Sequence, residues 1–252
     1  RPNVLCPGIT SPLADKQAFD IDMVVIRENT EGEYANVGGF QYMDFPEEVG
    51  IQTGVFTRMG CERVIRYAFE LARRRNKKKH LTSVTKSNAQ GYGMLVWDRA
   101  FERVSEDFPD VETISLLVDA AAMDFIRKPE MFDVVVGSNL FGDILTDIGA
   151  IITGSMGLAS SANLDPQRRY PSMFEPVHGS APDIMGKGVA NPMAQILTGA
   201  MMARHFGENA AADDIEKSVQ GLLVQGEILT PDLGGSSSTE SVGDAVVRSL
   251  GN

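Results

Sequence analysis

The sequence predicts an α/β fold with two lobes, and its length, composition and alternating hydrophobic pattern support this. The chain has 252 residues, 43% of them hydrophobic, which is typical of a globular protein. Domains commonly contain roughly 100–150 residues, so two cores are possible. Short β-rich runs, such as MVVI at 23–26 and DVVV at 133–136, alternate with helical patterns. This alternation favours partly parallel strands.

Three segments show the spacing of helices. Residues 58–75 and 94–104 each place apolar side chains on one stripe. The stripe of the first comprises Val64, Ile65, Ala68, Phe69 and Ala72, and that of the second comprises Leu95, Ala100, Phe101 and Val104. Asn191 and Pro192 predict the N-cap and first position of a third helix, which Gly207 ends.

Two other segments predict how the chain is divided. Residues 34–54 are rich in glycine and aromatic residues and lack helical periodicity, so we expect an excursion such as a β-hairpin arm. Residues 154–170 bring the strongest change in composition, which predicts a boundary near their start. The expected lobes are therefore 1–155, including the arm, and 156–252.

The charge balance restricts the partners. A net charge of −11 argues against nucleic acid or an anionic membrane, because binding a polyanion requires a concentrated basic face. The run RRRNKKK at 73–79 is the exception, and we interpret it as a solvated helix end rather than a polyanion site. Cys6 and Cys61 lack zinc spacing and fit a reducing compartment, so a cytoplasmic location is expected.

Asp143 and Asp147, in FGDILTD, are four residues apart, which places both carboxylates on one face of a helix. Two solvated acids on an exposed helix are one interpretation. Apolar neighbours and the preceding VVV run favour another, a hard divalent cation held by oxygen ligands. Asp119, at the end of LLVD, is a candidate third ligand at the end of a strand.

Other segments carry candidate binding groups. The glycine- and proline-rich loop 174–191 exposes backbone N–H groups, which suits a phosphate or an adenosine, although an ordinary surface loop is the alternative. A dinucleotide fingerprint is absent, because Gly91-Tyr92-Gly93 lacks the third glycine. In RENTEGEY at 27–34, Arg27 suits a carboxylate, and Tyr34 suits proton transfer if neighbouring cations lower its pKa.

Together these blocks resemble a known family. RENTEGEY, VTKSN, LLVDAAAM, SNLFGDILTD and FEPVHGSAPDIMGKGVANP follow in the order found in the metal-dependent β-decarboxylating dehydrogenases, which include isocitrate, 3-isopropylmalate, tartrate and D-malate dehydrogenases. The resemblance implies a two-lobed α/β fold unlike the Rossmann fold, with a cleft between the lobes and a β arm at a homodimer interface. It makes 1–155 the dimerisation and catalytic lobe, and 156–252 the C-terminal part of the cofactor-binding lobe.

The resemblance also implies a role for each candidate residue. Asp143 and Asp147 would bind Mg²⁺ or Mn²⁺ with Asp119 of the partner subunit, and a monovalent cation is possible. Lys86 and Tyr34 would be catalytic. The alternative interpretation of Lys86 is an ordinary surface lysine. Arg1 and Arg27 would hold substrate carboxylates, and Asn88 would also bind substrate. Lys86 and Asn88 would reach into the site of the partner subunit. The loop residues that would hold NAD are His178, Gly179, Ser180, Ala181, Asp183 and Asn191. Asp183 favours NAD over NADP because a carboxylate repels a 2′-phosphate.

The expected activity is NAD-dependent oxidative decarboxylation of a C4 2-hydroxy dicarboxylic acid. KSNAQGYGMLVWDRAFERV, GEYANVGG and SANLDPQRRYPSMFEP resemble the tartrate and D-malate branch. A 3-isopropylmalate dehydrogenase is the alternative enzyme, and a non-catalytic regulatory paralogue is the alternative outside enzymes. Chains of the family have roughly a hundred further residues before the position of Arg1, about a domain's worth, so we expect the N-terminal part of the cofactor lobe to be missing here.

Overall fold

The computed structural model describes residues 1–250. Its strands are β1 Pro2–Val4, β2 Asp22–Arg27, β3 Gly32–Gln41, β4 Val49–Val55, β5 His80–Thr85, β6 Glu112–Leu117, β7 Val134–Gly137, β8 Ser160–Asn163 and β9 Met173–Pro176. Its helices are α1 Arg58–Arg75, α2 Gly93–Ser105, α3 Val118–Arg127, α4 Asn139–Ile152, α5 Met193–His205, α6 Asn209–Gln225 and α7 Thr239–Leu250. The α/β class expected from the sequence is confirmed.

The largest sheet of the described residues has five strands in the order β1-β2-β7-β5-β6. The pairs β2–β7, β7–β5 and β5–β6 are all parallel. All four residues of β7 are buried, as expected for a strand covered on both faces. Because parallel strands end at the same edge, Arg27 at the end of β2 lies beside Gly137 at the end of β7. Ligand sites of open α/β sheets form at this edge.

Helices α1 and α2 pack through aromatic residues. The side chain of Thr57 caps α1 by accepting from the N–H of Gly60, and the predicted apolar stripe of this helix is buried. Phe69 stacks on Phe101 and Phe108, with ring centroids 5.4 and 4.9 Å away. The helix length and its core face are therefore as the sequence predicts.

The second predicted stripe is wrong at one position. Leu95 is 39% exposed, whereas Met94 and Trp97 are fully buried. The indole N–H of Trp97 donates to the Ser83 hydroxyl, 3.0 Å away on β5. This tertiary contact sets the rotation of α2 and turns Leu95 outward.

The third predicted helix begins one residue later than expected. Pro192 occupies the N-cap position rather than the first helical position. The Asn191 side chain still caps the helix, because its Oδ1 accepts from the N–H of Met193, 2.9 Å away. Gly207, with φ +92°, follows the end of α5.

The segment 34–54 is confirmed as a β-hairpin, with strands β3 and β4 antiparallel. Its strands begin at Gly32 and end at Val55, slightly outside the predicted range. Several of its large apolar side chains are exposed, including Val37, Phe40 and Ile51.

The basic run at 73–79 forms ion pairs within the chain, whereas the sequence predicted a solvated helix end. Arg73 pairs with Asp110, and Arg75 pairs with the buried carboxylate of Asp133, 2.8 Å away. Cys6 and Cys61 are both free thiols. Within residues 1–250, no helix has the length and apolar character needed to cross a membrane.

The chain forms two compact units. The first comprises Arg1–Met23, Lys128–Glu130 and the residues from Thr146 onward, and the second comprises Val24–Arg127 and Met131–Leu145. This grouping differs from a division at residue 155, because the chain passes between units within β2 and again within α4. In the first unit, α5, α6 and α7 share an apolar core that includes Met193, Leu223 and Val242.

We expect Phe69→Ala to lower the free energy of unfolding by about 3–5 kcal/mol, because it empties the centre of the aromatic stack. Chemical denaturation of the full-length protein measures the change. Val247→Ala, which truncates a side chain that is 68% exposed, is the control and should change stability little. Equal effects of the two substitutions would contradict the importance of this stack.

Candidate functional site

The candidate site in the second unit is built where α4 meets the end of β2. Helix α4 begins at Asn139, directly after the buried strand β7. A Cβ atom at Gly142 would lie 2.7 Å from Cβ and Cγ of Arg27, closer than real Cβ contacts allow. Glycine at 142 therefore permits the helix to approach the arginine side chain.

Arg27 is held by two residues of α4. Its Nε and Nη2 atoms donate to Oδ1 of Asn139 over 2.9 and 2.7 Å. Its Nη1 atom donates to Oδ1 of Asp143 in an ion pair. The sequence-predicted carboxylate binder and the first predicted metal ligand are thus in direct contact. We call Arg27, Asn139, Asp143 and Tyr34 the Arg27 cluster.

Tyr34 completes the cluster from strand β3. Its hydroxyl donates to Oδ2 of Asp143 over 3.0 Å, and the Arg27 guanidinium lies 5.5 Å from its ring centroid. The hydrogen bond to Asp143 is the main cause that raises the pKa of Tyr34, and it outweighs the lowering effect of Arg27. The condition of a pKa lowered by neighbouring cations is therefore not met by Arg27 alone.

Two acidic residues of the segment after β2 fix the start of α4. Glu33 accepts from the Ser138 hydroxyl over 2.7 Å and from the N–H of Leu140 over 3.2 Å. The backbone carbonyl of Glu31 accepts from Nδ2 of Asn139 over 3.0 Å. A carboxylate at a helix N-terminus satisfies free N–H groups and complements the helix dipole. The RENTEGEY block thus positions α4 as well as supplying Arg27 and Tyr34.

Two metal ligands predicted from the sequence, Asp143 and Asp147, both lie on α4. Asp143 and Asp147 are one turn apart on this helix, and their oxygen atoms suit a hard divalent cation. The same helix carries Thr146, whose hydroxyl accepts from Nη1 of Arg1 over 2.6 Å. Among residues 1–250, no group of three or more His, Cys, Asp and Glu side chains is arranged to hold a metal ion. These residues fit a cation that takes further ligands from outside this set.

Lys86 and Asp119 form a second pair. The ammonium of Lys86, which follows β5, lies 2.6 Å from Oδ1 of Asp119. The hydrogen bond from Lys86 is the main cause that lowers the pKa of Asp119. Asp119 lies in the first turn of α3 rather than at the end of a strand. Asn88, two residues after Lys86, is exposed. Both members of the pair are therefore charged and accessible.

The central residues of the predicted cofactor loop are exposed to solvent. A short 3₁₀ turn, Pro182–Ile184, contains Asp183, and Ala181 adopts a left-handed conformation with φ +43°. The exposed members of the predicted set are His178, Gly179, Ser180, Ala181 and Asp183. Exposed backbone in such a turn can accept a ligand.

Asn191, at the end of this loop, differs from the other predicted cofactor residues. It is 9% exposed, and its Nδ2 atom donates to Oδ2 of Asp232 over 3.1 Å. Its Oδ1 atom caps α5, as described above. Thr239 also holds the loop end, through bonds to the carbonyls of Gly188 and Ala190. The Asn191 side chain therefore anchors the loop.

Sequence reasoning missed Asn139, Glu33 and Gly142. All three lie in the blocks RENTEGEY and SNLFGDILTD, where the sequence predicts chemistry only for Arg27, Tyr34, Asp143 and Asp147. Polar residues that follow the end of a fully buried strand, here Ser138 and Asn139, are the signal that could have identified one of the three.

The sequence of the chain is similar to those of several dehydrogenases. The family model for isocitrate/isopropylmalate dehydrogenase matches residues 1–246. The tartrate dehydrogenase/decarboxylase of Pseudomonas putida is 46% identical over 256 residues, covering 99% of this chain and 70% of the relative. The D-malate dehydrogenase (decarboxylating) of Escherichia coli is 48% identical over 253 residues, covering 98% and 70%.

A solved structure shows the same architecture. The isocitrate dehydrogenase of Methylococcus capsulatus superposes with a TM-score of 0.91 at 38% identity, covering 100% of this chain and 72% of that one. The isocitrate dehydrogenase-like α/β fold expected from the sequence is thereby confirmed. With a family match over nearly the whole chain and relatives at this identity, the chain belongs to the isocitrate/isopropylmalate dehydrogenase family.

Proposed function

We propose that the full-length protein catalyses NAD-dependent, Mg²⁺- or Mn²⁺-dependent oxidative decarboxylation of a C4 2-hydroxy dicarboxylic acid, tartrate or D-malate. The Arg27 cluster is the observation that carries the proposal. It brings a carboxylate-binding guanidinium, a carboxylate suited to a hard cation and a proton-donating hydroxyl to one place. The names and identities of the Pseudomonas putida and Escherichia coli relatives support this substrate class.

Asp143 and Asp147 would hold the divalent cation together with Asp119 of the partner subunit. When bound, the cation would lower the pKa of the substrate hydroxyl and stabilise negative charge as the carboxylate leaves. The oxygen-only ligand set supports Mg²⁺ or Mn²⁺ over softer metals. Arg27 forms an ion pair with Asp143, so a basic residue balances the charge of that carboxylate.

The remaining residues would bind substrate and move protons. Arg1 and Arg27 would orient the substrate carboxylates, because a guanidinium fork suits a carboxylate. Asn88 would also bind substrate. Lys86, in its neutral amine form, would accept the hydroxyl proton directly or through a water as hydride passes from C2 to nicotinamide. After the 3-carboxylate leaves as CO₂, Tyr34 would donate a proton to C3 of the enolate. Its hydroxyl, which donates to Asp143 in the structure, would supply this proton.

The cofactor would be held by the open loop. His178, Gly179, Ser180 and Ala181 are exposed and would surround the adenosine, with Asn191 holding the end of the loop. Asp183 would accept hydrogen bonds from the ribose hydroxyls, and its charge would repel a 2′-phosphate. This supports NAD as the cofactor.

A homodimer with shared sites is part of the proposal. The arm exposes a row of apolar side chains, and such patches mark protein interfaces. Lys86 and Asp119 are accessible as a pair, as required if they serve the partner's site. The free thiols of Cys6 and Cys61 support a reducing, cytoplasmic location.

The activity is tested by following NADH absorbance with the full-length protein, Mn²⁺ and a panel of D-malate, tartrate, isopropylmalate and isocitrate. We expect turnover of a C4 acid with NAD, and its loss on chelation and recovery with Mn²⁺ or Mg²⁺. Better turnover of isopropylmalate would identify the alternative enzyme. No NADH with any acid would favour the regulatory paralogue and contradict the proposal.

We expect Lys86→Ala and Asp143→Asn each to abolish turnover, and their co-expression to restore activity. A mixed dimer would contain one site with both native residues, so random pairing would give about a quarter of the wild-type rate. Steady-state kinetics of the co-expressed protein measures this. Asp244→Asn, at an exposed position of α7, is the control for loss of one carboxylate. Absence of restored activity would argue against sites shared between subunits.

We expect Asp183→Lys combined with Ile184→Tyr to shift preference from NAD toward NADP, because it replaces a repelling charge with an attracting one. The measurement is the ratio of kcat/KM for the two cofactors. A ratio shift of at least about tenfold corresponds to one charge-assisted contact. Asp213→Lys, which reverses a charge on α6, should leave the ratio unchanged. An unaltered ratio in the double variant would place the ribose elsewhere.

A further inference from the structure

We propose that Asn139 is a positioning residue for substrate binding, because it orients the Arg27 guanidinium independently of Asp143. This inference rests on the proposed function, in which Arg27 binds a substrate carboxylate. It assigns a role to a neutral residue of α4 that touches neither substrate nor cation.

The hydrogen bonds define this role. Oδ1 of Asn139 accepts from both Nε and Nη2 of Arg27, whereas Asp143 accepts from Nη1. The amide of Asn139 is itself oriented, because Nδ2 donates to the carbonyl of Glu31. Asn139 is only 5% exposed, so water cannot readily replace these bonds. The plane of the guanidinium is therefore set by a fixed amide.

Asn139 matters most when Asp143 is engaged elsewhere. A carboxylate that binds a cation offers weaker and differently directed acceptors to its former partner. Asn139 carries no charge and is not suited to compete for the cation, so its two bonds to Arg27 can persist. A neutral acceptor also leaves the positive charge of Arg27 available for a substrate carboxylate, which a second aspartate at this position would cancel.

Gly142 restricts Arg27 from a second direction. The Cα of this glycine faces the arginine stem, and an added Cβ would clash with Cβ and Cγ of Arg27 at 2.7 Å. The side chain is thus confined at its stem by the backbone of α4 and at its head by Asn139. Alanine at 142 provides an independent way to displace the guanidinium.

The test measures the dissociation constant of the substrate by calorimetry with Mn²⁺, and KM and kcat by steady-state kinetics, in the full-length protein. We expect Asn139→Ala to raise the dissociation constant and KM about tenfold, the effect of losing hydrogen bonds to a charged group, with much less change in kcat. In an Arg27→Ala background the same substitution should have no further effect on the dissociation constant, because it acts through Arg27.

Ser83→Ala is the matched control. It removes a buried hydrogen bond of another small polar residue in the same unit, to Trp97 rather than Arg27. It should lower the melting temperature as Asn139→Ala does, but leave the dissociation constant unchanged. An equal rise in Ser83→Ala would show a structural effect and overturn the inference.

The outcomes separate the two proposals. An unchanged dissociation constant in Asn139→Ala, or an equal rise with and without Arg27, overturns the role of Asn139 alone. If Asn139→Ala does not fold, Gly142→Ala decides: a raised constant supports the inference, and an unchanged one overturns it. A wild-type protein that binds none of the four acids overturns the proposed function and this inference with it.

Discussion

The contact between Arg27 and the first two turns of α4 is the constraint on which the candidate site depends. A half-buried guanidinium has five N–H donors and no means of losing its charge, so its surroundings must supply acceptors. Asp143 balances the charge through one nitrogen, and Asn139 satisfies two others. Neither residue alone would both neutralise Arg27 and fix its plane.

The fold makes this contact possible through strand register and small residues. Arg27 and Gly137 end neighbouring parallel strands, so α4 begins beside the arginine. Glu33 then holds the helix start through Ser138 and Leu140. Since Gly142 allows close approach, the segment that supplies Arg27 and Tyr34 also determines where Asp143 lies. The order of the strands therefore determines the geometry of the site in this unit.

Local patterns in the sequence predicted the elements, and contacts between distant residues determined the details. The stripe of α1 was correct because helical periodicity is local, whereas Leu95 was misplaced because Trp97 bonds to Ser83 on another element. The pKa of Tyr34 also depends on a contact between distant residues. Arg27 is seven residues away and visible in the motif, but Asp143 is 109 residues away, and its hydrogen bond has the larger effect.

Two of the three carboxylates proposed to bind the cation are balanced by basic residues. Asp143 is paired with Arg27, and Asp119 is paired with Lys86, so each carboxylate is compensated by a basic residue on its own chain. Several unpaired carboxylates gathered at one point would repel each other and raise the cost of folding. Under the proposed function, separating Asp119 from Asp143 until two subunits meet avoids this cost. It also frees the basic partners, Arg27 for substrate and Lys86 for proton transfer, at the moment when the cation replaces them as the counter-charge.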